Sequence, residues 1–249
     1  MFDAERREVK RVLDEHHEAG NISPSSSPVT SPVLFARKAN GTIRYCIDYS
    51  RLNAVTENDR YPLPRIDEVL RLVLGSKILS EIDIHQAFHG VEIEEKSRPL
   101  TTFPTTFGAW HWNVMPLGLS NAPLTWQRVI NDTLFEGLGS FYCAYVDDMI
   151  IWSPSVEQHR WDVRTVLQRL PDKGLSIKVE KCEFDLKETR YLGHILSTSG
   201  IRPDPCKVQA LLDWPVPNTT KEVHQLHGLG SYYRGYIEGF ARIAMPSLS

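Results

Sequence analysis

Two adjacent aspartates lie in the middle of an apolar run, FYCAYVDDMIIW, which covers residues 141–152. The aromatic and β-branched residues around Asp147 and Asp148 favour two strands that meet in a tight hairpin, a position that aspartate tolerates. A solvated turn is one interpretation. Near low-dielectric surroundings, however, two neighbouring carboxylates raise each other's pKa unless a cation neutralises them. Magnesium is typically held by one or two carboxylates plus substrate phosphates, so the pair points towards phosphoryl transfer.

A second acidic position is required if this pair is to hold metal ions. In the segment ILSEIDI, alternation with a period of two places Ile82 and Ile84 on one face of a strand and Asp83 on the other. Glu81 shares the face of Asp83. An ordinary aspartate at the end of a strand is the alternative. A shared metal site requires that Asp83 fold back to lie close to the aspartate pair.

Helix and strand signals place these acidic residues within a mixed fold. Periodicity and capping residues predict helices that cover residues 2–19 or begin near Pro62, Asn121, Ser155, Asp204 and Thr219. Strands are predicted over residues 33–36, 43–49, 77–84, 175–179 and 190–197, with Asn40-Gly41 as a hairpin turn between the first two. The serine- and proline-rich segment 23–32 is expected to be extended and unpaired. Because strands and helices do not alternate regularly, the predicted fold class is α+β.

Composition sets broader limits on the protein. The chain has 249 residues, of which 41% are apolar, and a formal net charge of -3. It can bury a substantial core, and it lacks the roughly 18 continuous apolar residues of a membrane span, so an intracellular, soluble protein is expected. Since nucleic-acid-binding domains usually carry a basic excess, local basic clusters would have to hold any polyanion. The four cysteines fit buried thiols better than a disulfide framework or a zinc site; they are Cys46, Cys143, Cys182 and Cys206.

Both acidic sites and their surroundings resemble the reverse transcriptases of gypsy-type LTR retrotransposons, which are relatives of the retroviral enzymes. The resemblance rests on motifs that follow the family's order across residues 22–245. These motifs are SPSSSPVTSPV, RYCIDYSRLNAVT, DRYPLPRIDE, the strand of Asp83, VMPLGLSNAP, YVDD, KCEF, YLGHILS, and DWPVPNTTKEV with SYYRGYI. A single motif of this kind is weak evidence, whereas the ordered set over nearly the whole chain is very specific.

The resemblance implies a right-hand polymerase fold and RNA-directed DNA synthesis. Fingers are expected over residues 1–57 and 91–121, the palm over 58–90 and 122–199, and the start of a thumb over 200–249. The implied partners are an RNA or DNA template with its primer, and dNTPs, with no membrane partner. Ribonuclease H and integrase segments are expected downstream in a full polyprotein. Whether the working form is a dimer stays open. The implied location is the cytoplasm, in virus-like particles, with the nucleus as a further compartment.

By motif, the resemblance makes Asp83, Asp147 and Asp148 the catalytic residues. Together with the backbone carbonyl of Ile84 they would hold two Mg²⁺ ions, for which Mn²⁺ is a substitute. One metal would lower the pKa of the primer 3′-hydroxyl for attack on the α-phosphate, while the other would steady the leaving pyrophosphate. Neutralisation by metal ions would explain why two adjacent carboxylates occur in an apolar run.

The resemblance also implies nucleotide-binding residues. Phe88 would lie under the sugar and exclude a 2′-hydroxyl, although by itself it could equally be a core aromatic. Arg37 and Arg44, on the first hairpin, would clamp the triphosphate with fixed cationic donors. Leu117 would supply apolar contact where retroviral relatives have glutamine. Lys178 would contact the phosphates and protonate the leaving group, or else be an ordinary surface lysine.

A second hairpin is implied to support the primer terminus. Its residues are Leu192, Gly193 and His194, and the glycine would allow close approach of the backbone.

Some positions depart from the family's pattern and keep an alternative open. The family usually has His-Gln where this chain has His89-Gly90, arginine where it has Ser50, a basic residue near Pro104, and an apolar residue at the position of His227. These departures suit a catalytically silent remnant that acts only as a nucleic-acid-binding or interaction module. The intact aspartates favour the enzyme, because a chain released from catalysis need not keep three metal ligands.

Two histidine pairs have spacings found in metal sites. They are His85 with His89 and His224 with His227. Because neither pair has a glutamate or cysteine in the required place, we interpret them as surface or lining residues, and a metalloprotease is not supported.

Overall fold

The computed structural model describes residues 3–37, 43–85 and 87–244. Only the backbone is described for Asp3, Ala4, Arg37, Ile43, Arg44 and His85. The predicted Asn40-Gly41 turn lies outside the described residues. The fold mixes helices with antiparallel sheets, so the predicted α+β class is confirmed.

The N-terminal part packs a helix against a small sheet. Its elements are α1 (Asp3–Glu18), β1 (Ile22–Pro24), β5 (Phe103–Thr105) and β6 (Gly108–Trp112), with the strand order β1-β6-β5. Val9 and Leu13 are the buried face of α1. The expectation that segment 23–32 is unpaired is wrong, since Ser23 lies opposite His111 in the sheet and Ser31 donates a backbone hydrogen bond to Thr102. The signal for this pairing was absent locally because β6 follows about 80 residues later.

A hairpin precedes two short helices. The hairpin consists of β2 (Val33–Arg37) and β3 (Ile43–Ile47), and the helices are α2 (Ser50–Val55) and α3 (Ile66–Val73). Tyr49, between the hairpin and α2, is 2% exposed and donates a hydrogen bond to the Thr101 carbonyl. Tyr49 therefore ties the hairpin to the small N-terminal sheet.

A central sheet carries the acidic residues. Its strands are β4 (Ile78–His85), β7 (Tyr142–Tyr145), β8 (Asp148–Ser153), β9 (Ser176–Ile177) and β10 (Glu183–Leu186), in the order β10-β4-β8-β7. β9 pairs with the last residues of β4. The predicted strand 175–179 is therefore shorter than expected and is followed by a 3-10 turn, Val179–Lys181.

Each face of the central sheet is covered. Helices α4 (Ala122–Thr133) and α5 (Val156–Arg169) cover one face, where Trp126, Ile130 and Val166 pack on Ile82 and Ile151. Helix α3 and a C-terminal sheet cover the other face, in an apolar cluster that includes Leu79, Ile150 and Tyr191. The acidic side chains sit at the open end of this second face.

A buried polar network joins α5 to two central strands. The His159 ring lies 2.7 Å from Ser80 Oγ on β4 and 2.9 Å from Ser153 Oγ on β8. Ser153 also donates to Asp162 at 2.6 Å. All four side chains are at most 1% exposed, so water cannot replace these hydrogen bonds and loss of one partner would leave a buried polar group unpaired.

The C-terminal part begins with a three-stranded sheet and ends in helices. It contains β11 (Glu188–Tyr191), β12 (His194–Ser197), β13 (Gly200–Pro203), α6 (Pro205–Leu212), α7 (Thr220–Tyr232) and α8 (Phe240–Ala244). The predicted strand 190–197 is in fact a hairpin, β11 and β12. Thr219 and Glu222 form the capping box that their spacing predicts, and Asp204 caps α6.

Two other predicted helix starts differ in detail. Ser155 caps α5 by accepting from the Gln158 amide, but the Gln158 side chain bonds to Asp162 and does not complete a capping box. Asn121 precedes α4 without capping it; its side chain instead bonds the backbone of Glu57 and Asp59. No helix in the described part is long and apolar enough to cross a membrane.

Candidate active site

The register of the central sheet brings the predicted acidic residues together. β4 and β8 are antiparallel, and Asp83 is the direct partner of Asp148. Asp147 is the preceding residue, in the turn that joins β7 to β8. Residues separated by more than 60 positions in the sequence thus lie at one end of two neighbouring strands, as a shared site requires.

Alternation along β4 aims the Asp83 side chain at this site. Ile82 and Ile84 are 0% and 3% exposed in the core beneath the sheet, whereas the Asp83 side chain is 28% exposed on the other face. The predicted two-faced strand is therefore confirmed.

The turn that carries Asp147 has a strained backbone. Val146 has a φ of 54°, in the left-handed region that a β-branched residue rarely occupies. Such a conformation costs on the order of 1–3 kcal/mol and persists only where the surrounding structure enforces it. The sequence indicated a turn here, but it placed aspartate, not valine, in the demanding position.

Helix α4 enforces this turn through two side chains. Gln127, which is fully buried, accepts a hydrogen bond from the Val146 amide at 2.9 Å and donates to the Ala144 carbonyl at 2.9 Å. Trp126 Nε1 donates to the Val146 carbonyl, also at 2.9 Å. The role of Gln127 was not predicted; its only signal is an amide on the apolar face of a helix.

Negative charge accumulates at the site. Partial burial raises the pKa of Asp147, and repulsion from Asp148 and Asp83 raises it further. The pKa of Asp148 is also raised, first by partial burial and then by the charge of Asp83. Burial likewise raises the pKa of the neighbouring Glu81. A cation would relieve this repulsion.

A lysine ammonium already contacts one of these carboxylates. Lys181 Nζ lies 3.0 Å from Asp83 Oδ2, and this hydrogen bond raises the pKa of Lys181. Sequence reasoning missed Lys181, although it opens the KCEF motif. The predicted Lys178 instead donates its backbone amide to the Asp83 carbonyl at 2.9 Å, and its ammonium lies 3.9 Å from Glu180.

The donor set suits a hard cation. Carboxylate oxygens are ligands that Mg²⁺ prefers, and the Lys181 contact shows that a positive group fits against Asp83. The Asp83 carbonyl accepts from the Lys178 amide, just after β9, so alternation along β4 directs the Ile84 carbonyl to the opposite edge of the strand, the edge of β8. Within the described ranges, no group of three or more His, Cys, Asp or Glu side chains is assembled closely enough to hold a metal ion unaided. Water and substrate phosphates would therefore have to complete the coordination.

The predicted nucleotide residues lie in several elements, and the structure describes them to different extents. Phe88 lies in a 3-10 turn, Ala87–Gly90, directly after β4, and packs partly buried on the core. Leu117 is 54% exposed and lines a cavity of about 440 Å³ together with Cys46 and His89. The strands of Arg37 and Arg44 pair with each other, but their side chains lie outside the described part.

Packing explains one departure from the family's pattern. A Cβ atom on Gly90 would lie 2.7 Å from Leu175 Cδ2, and Leu175 is 4% exposed. Glycine at this position lets the segment that leads to β9 pack closely beside Phe88. The neighbouring His89 stacks on Trp112, with ring centroids 5.2 Å apart, which agrees with its interpretation as a lining residue.

The predicted primer-supporting residues form the turn between β11 and β12. Leu192 and Gly193 both have left-handed backbones, with φ of 46° and 72°, and His194 is 3% exposed. Tyr191, just before the turn, donates a hydrogen bond to the Asp148 carbonyl at 3.2 Å. The hairpin is thus bonded to a strand that carries a catalytic candidate.

Comparison with known proteins agrees with this arrangement. Residues 36–196 match the family model described as "Reverse transcriptase (RNA-dependent DNA polymerase)". The chain is 39% identical over 247 residues to the retrovirus-related Pol polyprotein from transposon 297 of Drosophila melanogaster, covering 97% of this chain and 23% of the polyprotein. The Pol polyprotein from transposon gypsy of the same organism is 36% identical, with 99% of this chain and 24% of the polyprotein covered. The chain therefore spans about a quarter of the curated relatives that it matches.

Solved structures share the fold. The foamy viral protease-reverse transcriptase in complex with an RNA/DNA hybrid superimposes with a TM-score of 0.84 at 21% identity, over 100% of this chain and 33% of that one. A complex of the foamy viral enzyme with double-stranded DNA gives a TM-score of 0.86 at 23% identity, over 96% and 42% of the two chains. The expected polymerase fold is confirmed. The chain belongs to the reverse transcriptase (RNA-dependent DNA polymerase) family.

Proposed function

We propose that this chain catalyses RNA-directed DNA synthesis by transferring a nucleotide from a dNTP to a primer 3′-hydroxyl. The observation that carries the proposal is the pairing of Asp83 with Asp148, beside Asp147, at the open end of the central sheet. Membership of the reverse transcriptase family supports the same activity.

The aspartates would hold the divalent metal. Asp83, Asp147 and Asp148 supply the carboxylates, and the Ile84 carbonyl is an additional oxygen donor. Held there, two Mg²⁺ ions, or Mn²⁺ as a substitute, would supply activation of the primer hydroxyl and stabilisation of the leaving pyrophosphate. The strained turn fixes Asp147 in advance, because Gln127 and Trp126 hold its backbone. Such preorganisation reduces the reorganisation needed when the substrates bind.

The surrounding residues would bind the nucleotide. We assign the triphosphate to Arg37, Arg44 and Lys178, and we assign the exclusion of a 2′-hydroxyl to the ring of Phe88. Leu117, which is exposed in the cavity beside β3, supplies apolar contact. The proximity of Phe88 to the end of β4 supports this assignment.

The template and primer are the proposed macromolecular partners. The two foamy viral structures compared above contain nucleic acid, one an RNA/DNA hybrid and the other double-stranded DNA. Leu192, Gly193 and His194 would support the primer end. In this assignment, residues 1–57 and 91–121 are the fingers, 58–90 and 122–199 the palm, and 200–249 the start of the thumb.

The relatives suggest a wider context for the chain. Because they are Pol polyproteins of transposons, we propose that the chain acts within such a polyprotein, with ribonuclease H and integrase segments. Its proposed location is a virus-like particle in the cytoplasm, with subsequent entry to the nucleus, and its working form is a monomer or a dimer.

Primer extension tests the proposed activity. The protein is incubated with an RNA template, a DNA primer, dNTPs and Mg²⁺, and it is compared with an Asp147→Asn, Asp148→Asn double variant. Asp172→Asn, on an exposed turn after α5, is the matched control. We expect synthesis by the wild-type chain and the control, and loss of synthesis in the double variant or after addition of EDTA. Equal background from the wild type and the double variant would identify a catalytically silent remnant.

A further inference from the structure

The turn between β11 and β12 has backbone carbonyls that the strands do not satisfy. Tyr191 and His194 are the last paired residues, so the carbonyls of Leu192 and Gly193 lie beyond the ladder. Gly193 O accepts two hydrogen bonds, from the Tyr233 hydroxyl at 2.9 Å and from the Asp204 amide at 3.1 Å. The turn is therefore fixed by residues outside its own hairpin.

Helix α7 supplies hydroxyl donors to both carbonyls. Tyr232, the last residue of the helix, donates to Leu192 O, and Tyr233 follows it in the sequence. The Tyr233 side chain is well packed, since the residue is 5% exposed. There is no spare room at this contact, because a Cβ atom on Gly193 would lie 2.7 Å from the Tyr233 hydroxyl.

An aromatic cluster surrounds the last residue of the turn. The His194 ring has centroids of Tyr232, Tyr233 and Tyr236 at 5.4, 5.5 and 5.8 Å. Among these tyrosines, only Tyr232 and Tyr233 bond the turn carbonyls in the described part of the chain. Tyr236 shares the ring contact without the carbonyl bond, which makes it a natural control.

The same hairpin is also bonded, through two side chains of β11, to the strands that carry the acidic residues. Tyr191 donates to Asp148 O at 3.2 Å, and Thr189 donates to Glu81 Oε2 at 2.8 Å. A continuous set of hydrogen bonds thus runs from β4 and β8, through the turn, to the end of α7. The position of the turn relative to the aspartates depends on both ends of this set.

We propose that Tyr232 and Tyr233 are positioning residues that set the place of the primer 3′ end relative to Asp83, Asp147 and Asp148. This inference rests on the proposed function, in which the turn supports the primer. Because a misplacement of about 1 Å between reacting atoms can cost about a hundredfold in rate, bonds that fix the turn act on the chemical step.

Three tyrosine-to-phenylalanine variants test this role. Each keeps its ring, so Tyr232→Phe and Tyr233→Phe remove the carbonyl bonds, whereas Tyr236→Phe does not. The measurements are single-turnover primer extension at saturating primer–template, as a function of dNTP concentration, and the fluorescence of 2-aminopurine at the primer 3′ end. Circular dichroism checks that each variant is folded at the assay temperature.

We expect Tyr233→Phe to lower the maximal extension rate about tenfold, with a change of less than about twofold in the apparent Kd for dNTP. Tyr232→Phe should act in the same direction, because it removes a bond from the same turn. The fluorescence of the primer terminus should change in both variants and stay at the wild-type value in Tyr236→Phe.

Several results would overturn the inference. These are wild-type rates in both carbonyl-bond variants, equal losses in all three variants, or a lower rate explained only by unfolding. If the wild-type chain itself extends no primer, the proposed function fails first. The fluorescence of the bound primer end still reports positioning in that case, since it does not require synthesis.

Discussion

At the scale of single residues, the central physical problem is the concentration of negative charge at Asp83, Asp147 and Asp148. The pKa values of Asp147 and Asp148 are raised by partial burial and by neighbouring carboxylates. In the absence of a divalent cation, the stability of the fold therefore decreases as the pH rises from the unfolded pKa of these carboxyls to their higher folded pKa. The loss of stability persists at neutral pH, where both carboxyls are charged. Because both side chains are still open to solvent, the effect on stability is modest.

Replacing the pair should stabilise the metal-free protein. We expect Asp147→Asn, Asp148→Asn to raise the free energy of unfolding by up to about 1 kcal/mol at pH 7 in EDTA, since it removes repulsion at a partly exposed site. Addition of Mg²⁺ should then raise the melting temperature of the wild type but not that of the variant. Thermal denaturation followed by circular dichroism measures both effects. Asp172→Asn should behave as the wild type in each, and an equal response to Mg²⁺ in the double variant would place the metal elsewhere.

Individual residues also show how far the sequence could predict the site. Alternation predicted the face of the strand on which Asp83 lies, whereas only the motifs of the family resemblance placed it with the aspartate doublet, more than 60 positions away. They were not enough to choose between Lys178 and Lys181. The 3-10 turn Val179–Lys181 brings the Lys181 ammonium to Asp83. The position of this turn depends on where the pairing of β9 with β4 ends.

At the scale of elements, α4 supports the turn that carries Asp147. Gln127 satisfies the Val146 amide and the Ala144 carbonyl from within a fully buried environment, and it also donates to Asn131 at 3.0 Å. Helix and strand signals predicted α4 and the hairpin separately. These signals could not predict the hydrogen bonds between α4 and the hairpin, because the partners of a buried amide are known only once the elements are packed.

Removing the Gln127 amide should therefore affect both stability and synthesis. We expect Gln127→Leu to destabilise the fold by about 2–3 kcal/mol, because it leaves buried backbone groups of the turn unpaired. Extension activity should fall further than the loss of folded protein explains, since the Val146 conformation is no longer enforced. Urea denaturation and primer extension measure the two effects. Gln209→Leu, on an exposed face of α6, is the control; activity in proportion to the folded fraction would show that the turn keeps its geometry without Gln127.

The polar network around His159 joins α5 to the central sheet, and it leads to a second prediction, on the pH dependence of stability. Burial lowers the pKa of His159, and the carboxylates of Asp185 and Asp162 oppose this shift. The folded protein thus binds fewer protons than the unfolded chain below the unfolded pKa of about 6.5. Stability is therefore complete above that pH, and it decreases as the pH falls through the lowered folded pKa.

Comparison of the wild type with His159→Gln isolates this contribution. Two other histidines, the half-buried His16 and the buried His194, also have pKa values lowered by burial and contribute to the total pH dependence. We expect the difference in unfolding free energy between the two proteins, measured in urea, to shrink as the pH is lowered from 7.5 to below about 6. A difference that is constant over this range would mean that His159 does not change its protonation on unfolding.

At the scale of the whole molecule, the proposed function requires a chain of net charge -3 to bind a polyanion. The α+β class follows from helix and strand signals, and the polymerase fold follows from the motifs that carry the family resemblance. The pairing of β1 with β6 follows from no such pattern, because strand partners about 90 residues apart leave no local signal. The distribution of charge over the surface likewise depends on which basic residues are already neutralised by carboxylates.

Arg190 and Arg128 illustrate this dependence. Arg128 pairs with Asp59 at 2.7 Å, so its charge is compensated within the fold. Arg190 is exposed on β11, next to Tyr191, and makes no ion pair with the described residues. The hairpin that supports the primer in our proposal thus carries an uncompensated positive charge.

We therefore expect affinity for primer–template to fall at least about tenfold between roughly 50 and 200 mM salt, because phosphate contacts release counterions. Arg190→Gln should weaken binding across all sequences and reduce the slope of log K against log salt by about 1. Arg128→Gln should leave this slope unchanged, since its charge is held by Asp59. Filter binding across a salt series measures all three proteins. A wild-type affinity that does not depend on salt would mean that no phosphate-binding groove exists on this molecule, while equal slopes for the wild type and Arg190→Gln would place the primer backbone away from β11.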